Sequence, residues 1–231
     1  KYIIVKLIAP CNLKEDIQGG RFMSKKVVIT IGRQYGSGGR NVGKLVAKKL
    51  GIDFYDKELI TLAAKQNGMS EHLFESVDER PTNSLLYSLA VGAYGMDGNY
   101  SYWGDAALPL NDRVYQIQAG LIEELADKGS CVIVGRCADY VLRDRDNVVN
   151  VFLMADKEYR KKKAIESYQV PAEKAADVIK KTDKKRANYY NYHTNREWSD
   201  ASNYHICVDV GAIGEEKCAD LIVSYVQLKF S

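Results

Sequence analysis

Apolar and polar positions along the chain alternate between short apolar runs and stretches of helical period. Residues 27–31 (Val-Val-Ile-Thr-Ile) form a β-branched run of the kind buried on both faces of a parallel sheet. A glycine-rich stretch follows, after which Val42, Leu45, Val46 and Leu50 recur at helical spacing before Gly51, which suits a left-handed C-cap. Residues 52–56 predict a second short strand, with Asp56 capping a helix that begins at Lys57. Helical spacing returns over 114–128 through Val114, Ile117, Leu121, Ile122 and Leu125. Residues 131–134 and 148–154 are further buried strands, the first closed by Gly135-Arg136 and the second leading to a helix capped by Asp156. Pro171 opens a long helix running to about Asn195, residues 206–210 form a last strand, and 215–228 a last helix. Strands alternating with helices predict an α/β protein with a doubly wound, mostly parallel sheet and helices on both faces. Cys131 and Cys207, in apolar strands, are expected in the core.

Two stretches fall outside this rhythm. Residues 1–22 precede Met23 and the first strand and are expected to be an extension without function, leaving 23–231 as the working domain. Lys6 interrupts the apolar lead, and no polar spacer with a small-residue cleavage site follows, so this lead does not read as a signal peptide. Residues 81–112 mix glycines with Tyr87, Tyr94, Tyr100, Tyr102 and Trp103 and predict an irregular insertion. Its aromatic residues suit either stacking on a base or a homodimer contact.

Composition narrows the function classes. The chain has 231 residues, a net charge of +3 from 33 Lys+Arg and 30 Asp+Glu, and a mean hydropathy of −0.31. This balance argues against a surface devoted to nucleic acid, so an anion site must be local. No apolar run approaches the roughly 20 residues that span a bilayer, and no membrane partner is expected. Five cysteines without a C-x-x-C pair read as reduced thiols of a cytoplasmic protein. His72, His193 and His205 show no metal-ligand spacing.

The candidate chemistry begins in the glycine stretch. Four glycines lie between residues 32 and 39 (Gly32, Gly36, Gly38, Gly39), placed between a strand and a helix. In that context backbone N–H groups can turn toward one anion while the helix adds its positive end. Gly36, Ser37, Gly38, Gly39, Arg40 and Asn41 are therefore the candidate phosphate cradle. The full G-x-x-x-x-G-K-[ST] pattern is absent: with Gly39 as its last glycine, Arg40 stands at the lysine place and Asn41 at the hydroxyl place. A dehydrogenase loop is the competing reading, supported by the Tyr159-x-x-x-Lys163 spacing. It lacks a serine ahead of that tyrosine and a carboxylate at the ribose distance.

The chain resembles the cytidylate kinase-like family, a branch of the P-loop nucleoside monophosphate kinases. The resemblance is carried by residues 31–40 (Ile-Gly-Arg-Gln-Tyr-Gly-Ser-Gly-Gly-Arg), 50–56 (Leu-Gly-Ile-Asp-Phe-Tyr-Asp), 132–140 (Val-Ile-Val-Gly-Arg-Cys-Ala-Asp-Tyr) and 151–156 followed by Arg160. Asp183-x-x-Arg186-Ala187-x-Tyr189-Tyr190 and Trp198-x-Asp200 complete it, in order over roughly residues 26–229. The resemblance implies a P-loop NTPase fold with a helical lid at about 157–204 and an acceptor-side insertion at about 54–113. It also implies ATP with Mg2+ as donor and CMP or dCMP as acceptor.

On that reading Arg40, Arg160 and Arg186 are the catalytic candidates, while Arg136, Asp53 and Asp183 belong to the acceptor side. Arg186 lies on a helical stripe with Val178, Ile179, Thr182, Tyr189, Tyr190 and His193, with Asp183 one turn earlier to orient it. No protein ligand for a metal is assigned. The alternative is a degenerate P-loop protein that binds or senses a nucleotide or phosphorylated ligand without turnover.

Overall fold

The computed structural model describes residues 26–56 and 110–230. Its first strand, β1 (Val28–Arg33), is hydrogen-bonded on both sides, to β3 (Cys131–Val134) and to β4 (Val148–Met154). The flanking positions are taken by β2 (Asp53–Tyr55) beside β3 and β5 (Ile206–Asp209) beside β4. The described strands thus form one five-stranded sheet in the order β2-β3-β1-β4-β5, with every pairing parallel. The helices are α1 (Gly39–Leu50), α2 (Leu110–Lys128), α3 (Ala138–Val141), α4 (Lys157–Tyr168), α5 (Ala175–Thr194), α6 (Val210–Ile213) and α7 (Glu215–Phe230). The α/β class and the parallel sheet read from the sequence are both present.

Side-chain parity along β1 explains the layers. Ile29 and Ile31, with Val132, Val134, Val149 and Val151, pack against Val42 and Val46 of α1 and Cys218, Ile222 and Val226 of α7. Val28 points the other way, with Cys131, Ile133 and Val148, onto Leu121, Ile122 and Leu125 of α2 and Ala138 of α3. A central strand covered on both faces must be apolar at successive positions, which is why these strands read as continuous runs. Both faces being covered, each apolar side chain withdrawn from water adds about 1.5–3 kcal/mol to the drive for folding.

Several boundaries differ from expectation for reasons of register. Gly32 read as a loop residue, yet β1 continues through Arg33 because Gly32 and Arg33 pair with Phe152 and Leu153 of β4. Gly32 is required there by packing, since a Cβ would lie 2.9 Å from the Phe152 ring and 3.2 Å from that of Tyr204. The long helix expected from Pro171 splits into a 3-10 turn, Ala172–Lys174, and α5. Cys207 is exposed, correcting its expected place in the core: β5 edges the sheet, and only alternate residues face inward. Gly51 caps α1 in the left-handed conformation, φ 64°, as its sequence position suggested. Asp156 caps α4, accepting from the N–H groups of Glu158 and Tyr159 at 2.8 and 2.9 Å. The extension at 1–22, most of the insertion and the helix expected after Asp56 lie outside the described residues.

Two histidines tie elements together in their neutral form. His205 Nδ1 accepts the N–H of Asn150 at 2.8 Å, so it carries no proton, and its Nε2 lies 3.2 Å from Lys229 Nζ. His193 stacks on Tyr115 of α2 at 4.1 Å with the rings 7° from parallel. Burial depresses both imidazoles below the ordinary 6.5; Lys229 adds to this at His205, while Asp112 opposes it at His193. The unfolded chain therefore binds protons more readily than the folded one. The stability these rings contribute is complete above about pH 6.5 and is lost as pH falls toward their depressed values. Urea midpoints measured from about pH 7 down to 5.5 should fall more steeply for the natural protein than for an H193Q/H205Q variant. Asp139, whose carboxyl is raised by burial, works in the opposite direction and is common to both proteins.

Candidate active site

Because β1 ends in the middle of the sheet, the chain leaving it emerges at the sheet's carboxyl edge, where open α/β folds bind ligands. Gln34 anchors the exit, its N–H donating to Leu153 O at 2.9 Å and its side chain accepting from Ala155 N–H at 3.3 Å. Gly36 and Gly38 turn the loop with φ of 79° and 81°. Ser37 is buried, and its hydroxyl donates back to Gln34 O at 2.9 Å, which stiffens the turn. Among the described residues no side chain caps the N-terminus of α1, which begins at Gly39.

The arginines around this loop divide into two groups. Arg40 leans across to β2, its Nε 2.6 Å from Asp56 Oδ2. Arg160 is buried in an ion pair with Asp183, and its Nη1 also donates to Tyr35 O at 3.4 Å. Asp183 completes the clamp by accepting the Tyr35 N–H at 2.7 Å. This corrects the expected Asp183–Arg186 pairing: Arg160 arrives from α4 and takes the carboxylate, which binds the loop backbone at the same time. Arg160 and Asp183 therefore hold the glycine loop to α4 and α5, and the Tyr35 ring packs on Tyr168 with centroids 5.2 Å apart.

The second group is Arg33, Arg136 and Arg186, which line one cleft at the ends of β1 and β3. Arg33 threads between two glycines. A Cβ on Gly39 would lie 2.7 Å from Arg33 Cβ, and one on Gly135 would collide with its guanidinium. Arg186 reaches in from α5, donating from Nη1 to Arg33 O at 3.0 Å and lying 5.7 Å from the Tyr35 ring centroid. Arg136 lies 5.9 Å from the centroid of Tyr189. Among the described residues the Nε atoms of Arg136, Arg160 and Arg186 are buried without a hydrogen-bond partner, and those of Arg136 and Arg186 belong to this cleft. A buried donor left unmet costs about 1–3 kcal/mol, which an anionic ligand in the cleft would relieve.

Backbone strain marks the same place. Gly135, Arg136 and Cys137 have φ of 82°, 58° and 55°, three successive residues in the left-handed region. For the two that carry a side chain this costs roughly 1–2 kcal/mol each. The turn it makes lifts Arg136 over the sheet edge instead of letting β3 run on.

Tyr189, Tyr190, Trp198 and Tyr204 form the apolar wall, with Phe152 behind it at 4.9 Å from the Tyr204 ring. Tyr190 donates to Asp139 Oδ2 at 2.6 Å, and Tyr204 to Trp198 O at 2.8 Å. Burial raises the Asp139 carboxyl above its usual range and the Tyr189, Tyr190 and Tyr204 phenols above theirs, so the hydroxyls stay protonated. Asp53 is not among these groups. It stands at the start of β2 in register with Cys131, at the opposite end of the sheet, where it accepts from Tyr55 OH at 3.3 Å. Arg33, by contrast, was not singled out in the sequence, although it follows its strand at the carboxyl edge as Arg136 follows β3.

The structure is thus an α/β protein with a glycine turn beside a cluster of arginines at the carboxyl ends of its parallel strands. Residues 28–212 match the model of the cytidylate kinase-like family, and the chain belongs to that family. Among solved structures it is similar to an uncharacterized protein from Eubacterium ventriosum, at 28% identity with a TM-score of 0.64, covering 87% of this chain and 98% of that one. Shikimate kinases from Acinetobacter baumannii (12% identity, TM-score 0.48, covering 89% of this chain and 94% of that one) and Aquifex aeolicus (17%, 0.44, 87% and 96%) are more distant. No curated protein matches the chain at a significant level. Among the described residues no helix is long and apolar enough to cross a membrane.

The strained turn makes a direct prediction. Gly135→Ala should cost about 1–2 kcal/mol for the left-handed backbone alone, and more for displacing Arg33. Gly129→Ala, where a Cβ meets nothing within 4 Å, should change stability by less than about 0.5 kcal/mol. Urea denaturation of the two variants gives the comparison.

Proposed function

We propose that this protein transfers the γ-phosphoryl group of ATP to a nucleoside monophosphate, with CMP or dCMP the first candidates. The observation that carries this reading is the pair of buried Nε atoms of Arg136 and Arg186, unpartnered among the described residues, in a cleft that adjoins the glycine loop. The loop, from Gly36 to Asn41, takes the donor phosphates on its backbone N–H groups and the N-terminus of α1. Arg136 holds the acceptor phosphate, and Tyr189 and its aromatic neighbours pack against the acceptor. Arg33 and Arg186 lie between the two sites and neutralise the transferring group.

An oxygen of the acceptor phosphate attacks the γ-phosphorus while the bond to the β-phosphate oxygen breaks, giving ADP and a nucleoside diphosphate. The work is positioning and charge stabilisation, and the site needs no general base beyond the acceptor phosphate itself. Magnesium supplies charge neutralisation at the phosphates. The described residues hold no group of three or more His, Cys, Asp or Glu side chains suited to a metal. Arg40 and Arg160, tied to Asp56 and Asp183, act here as positioning residues for the helix and the loop.

ADP formation from Mg-ATP, measured across a panel of nucleoside monophosphates, tests the proposal. Turnover with one preferred acceptor is expected. Arg186→Ala should lower kcat by about 10²–10³, and Arg136→Ala should raise the acceptor KM at least about tenfold. A thermal shift with ATP but no ADP from any acceptor would instead support the nucleotide-binding alternative. Silence in both assays would remove both readings.

A further inference from the structure

The loop sequence lacks the lysine of the full phosphate-binding pattern, and the residue at that place, Arg40, leans onto Asp56. A cation nevertheless stands at the loop, brought by a different element. Lys163 of α4 ion-pairs with Glu215, the first residue of α7, at 2.9 Å. The Glu215 carboxylate lies against Gly38, where a Cβ would collide with Oε1, and its Oε2 accepts from Asn41 Nδ2 at 3.3 Å. Three elements thus meet on one carboxylate: the loop turn, the first turn of α1 and the lid helix.

The chemistry of this meeting is that of an anion site filled from within. The first turn of α1 has no acidic side chain and no side-chain cap, so Glu215 is the negative group at its positive end. Its Oε1 is buried without a well-formed hydrogen bond, so the Lys163 contact is ionic in character. Both side chains are largely enclosed, Lys163 at 25% and Glu215 at 19% exposure, where charge is screened less than on the open surface. The same contact with the Glu215 carboxylate raises the Lys163 ammonium above its ordinary pKa.

Resting on the reading of the loop as the donor site, we propose that Lys163 is the phosphate-neutralising cation of the glycine loop and that Glu215 is its placeholder. In the ligand-free protein the carboxylate occupies the position of a phosphate oxygen. A polyphosphate, with its higher charge, displaces Glu215 and takes over Lys163 and Asn41. Gly214, at φ 83° and with nothing within 4 Å of a Cβ, lies next to Glu215 where the chain must yield. Lys163 then touches the donor, and Glu215 is a positioning residue that sets the threshold for its binding.

Calorimetric titration of the full chain with Mg-ATP, and separately with inorganic tripolyphosphate, tests this, together with thermal melts in the absence of ligand. Lys163→Ala should weaken binding about 10–100-fold, and Lys163→Arg should restore most of the loss. Glu215→Gln should bind several-fold more tightly while melting lower without ligand, a pairing of signs that a purely structural ion pair does not produce. Unchanged affinity in Lys163→Ala, or weaker binding in Glu215→Gln, overturns the inference while leaving the donor site standing. If the natural protein binds neither probe, the donor-site reading falls, and this inference with it.

Discussion

The carboxyl end of β1 is the point on which the rest of the site depends. Because β1 is paired with β3 as far as Ile31 and with β4 through Arg33, its last two residues cannot move without breaking the ladder to β4. Gly32 admits the Phe152 and Tyr204 rings of the cleft wall, and Arg33 is launched between Gly39 and Gly135. The glycine loop starts from this rigid end, so the loop and the arginine-lined cleft share one fixed boundary. Such pre-organisation suits a reaction in which placing charges is most of the catalysis.

Helices α4 and α5 are coupled to that boundary through one carboxylate. Asp183 of α5 accepts the Tyr35 N–H and pairs with Arg160 of α4, so the loop and two helices converge on a few atoms. Ala164, Ala175 and Ile179 form a small apolar core beneath, with Tyr35 against it. Movement of α4 and α5 away from the sheet would break the Tyr35–Asp183 bond and release the loop turn. Arg186, three residues after Asp183 on α5, would leave the cleft in the same motion.

Much of this was legible in the sequence, and the rest was hidden for identifiable reasons. Largely apolar runs of four and seven residues gave β3 and β4 their bounds, because strands covered on both faces have few polar positions to blur the pattern, Asn150 being the one in β4. The glycine loop and Arg136 could be placed from local order alone. Partners distant in sequence could not: Asp183 goes to Arg160 rather than to Arg186 because α4 and α5 pack side by side, a fact of tertiary structure. Asp53 illustrates direction. A residue at the start of a short parallel strand lies at the wrong end of the sheet for the ligand edge, and only the register with Cys131 reveals it. Arg33 was open to the same argument as Arg136, since both follow a buried strand at its carboxyl end.

The distribution of acids around the site sorts its cations by role. Asp56 is assigned to Arg40, Asp183 to Arg160 and Glu215 to Lys163. The cleft is lined by Arg33, Arg136 and Arg186 against one acid, Asp139. That acid accepts from Tyr190 and has its carboxyl raised by burial, which weakens its hold on a proton-free, negative state. The cleft therefore carries an excess of positive charge that water alone meets poorly at the buried Nε atoms. Two left-handed side-chain-bearing residues hold Arg136 in that excess, at a cost of roughly 1–2 kcal/mol each. Strain and like charge both oppose the fold here, and an anion bound among the three guanidinium groups would offset the charge while the backbone strain remains.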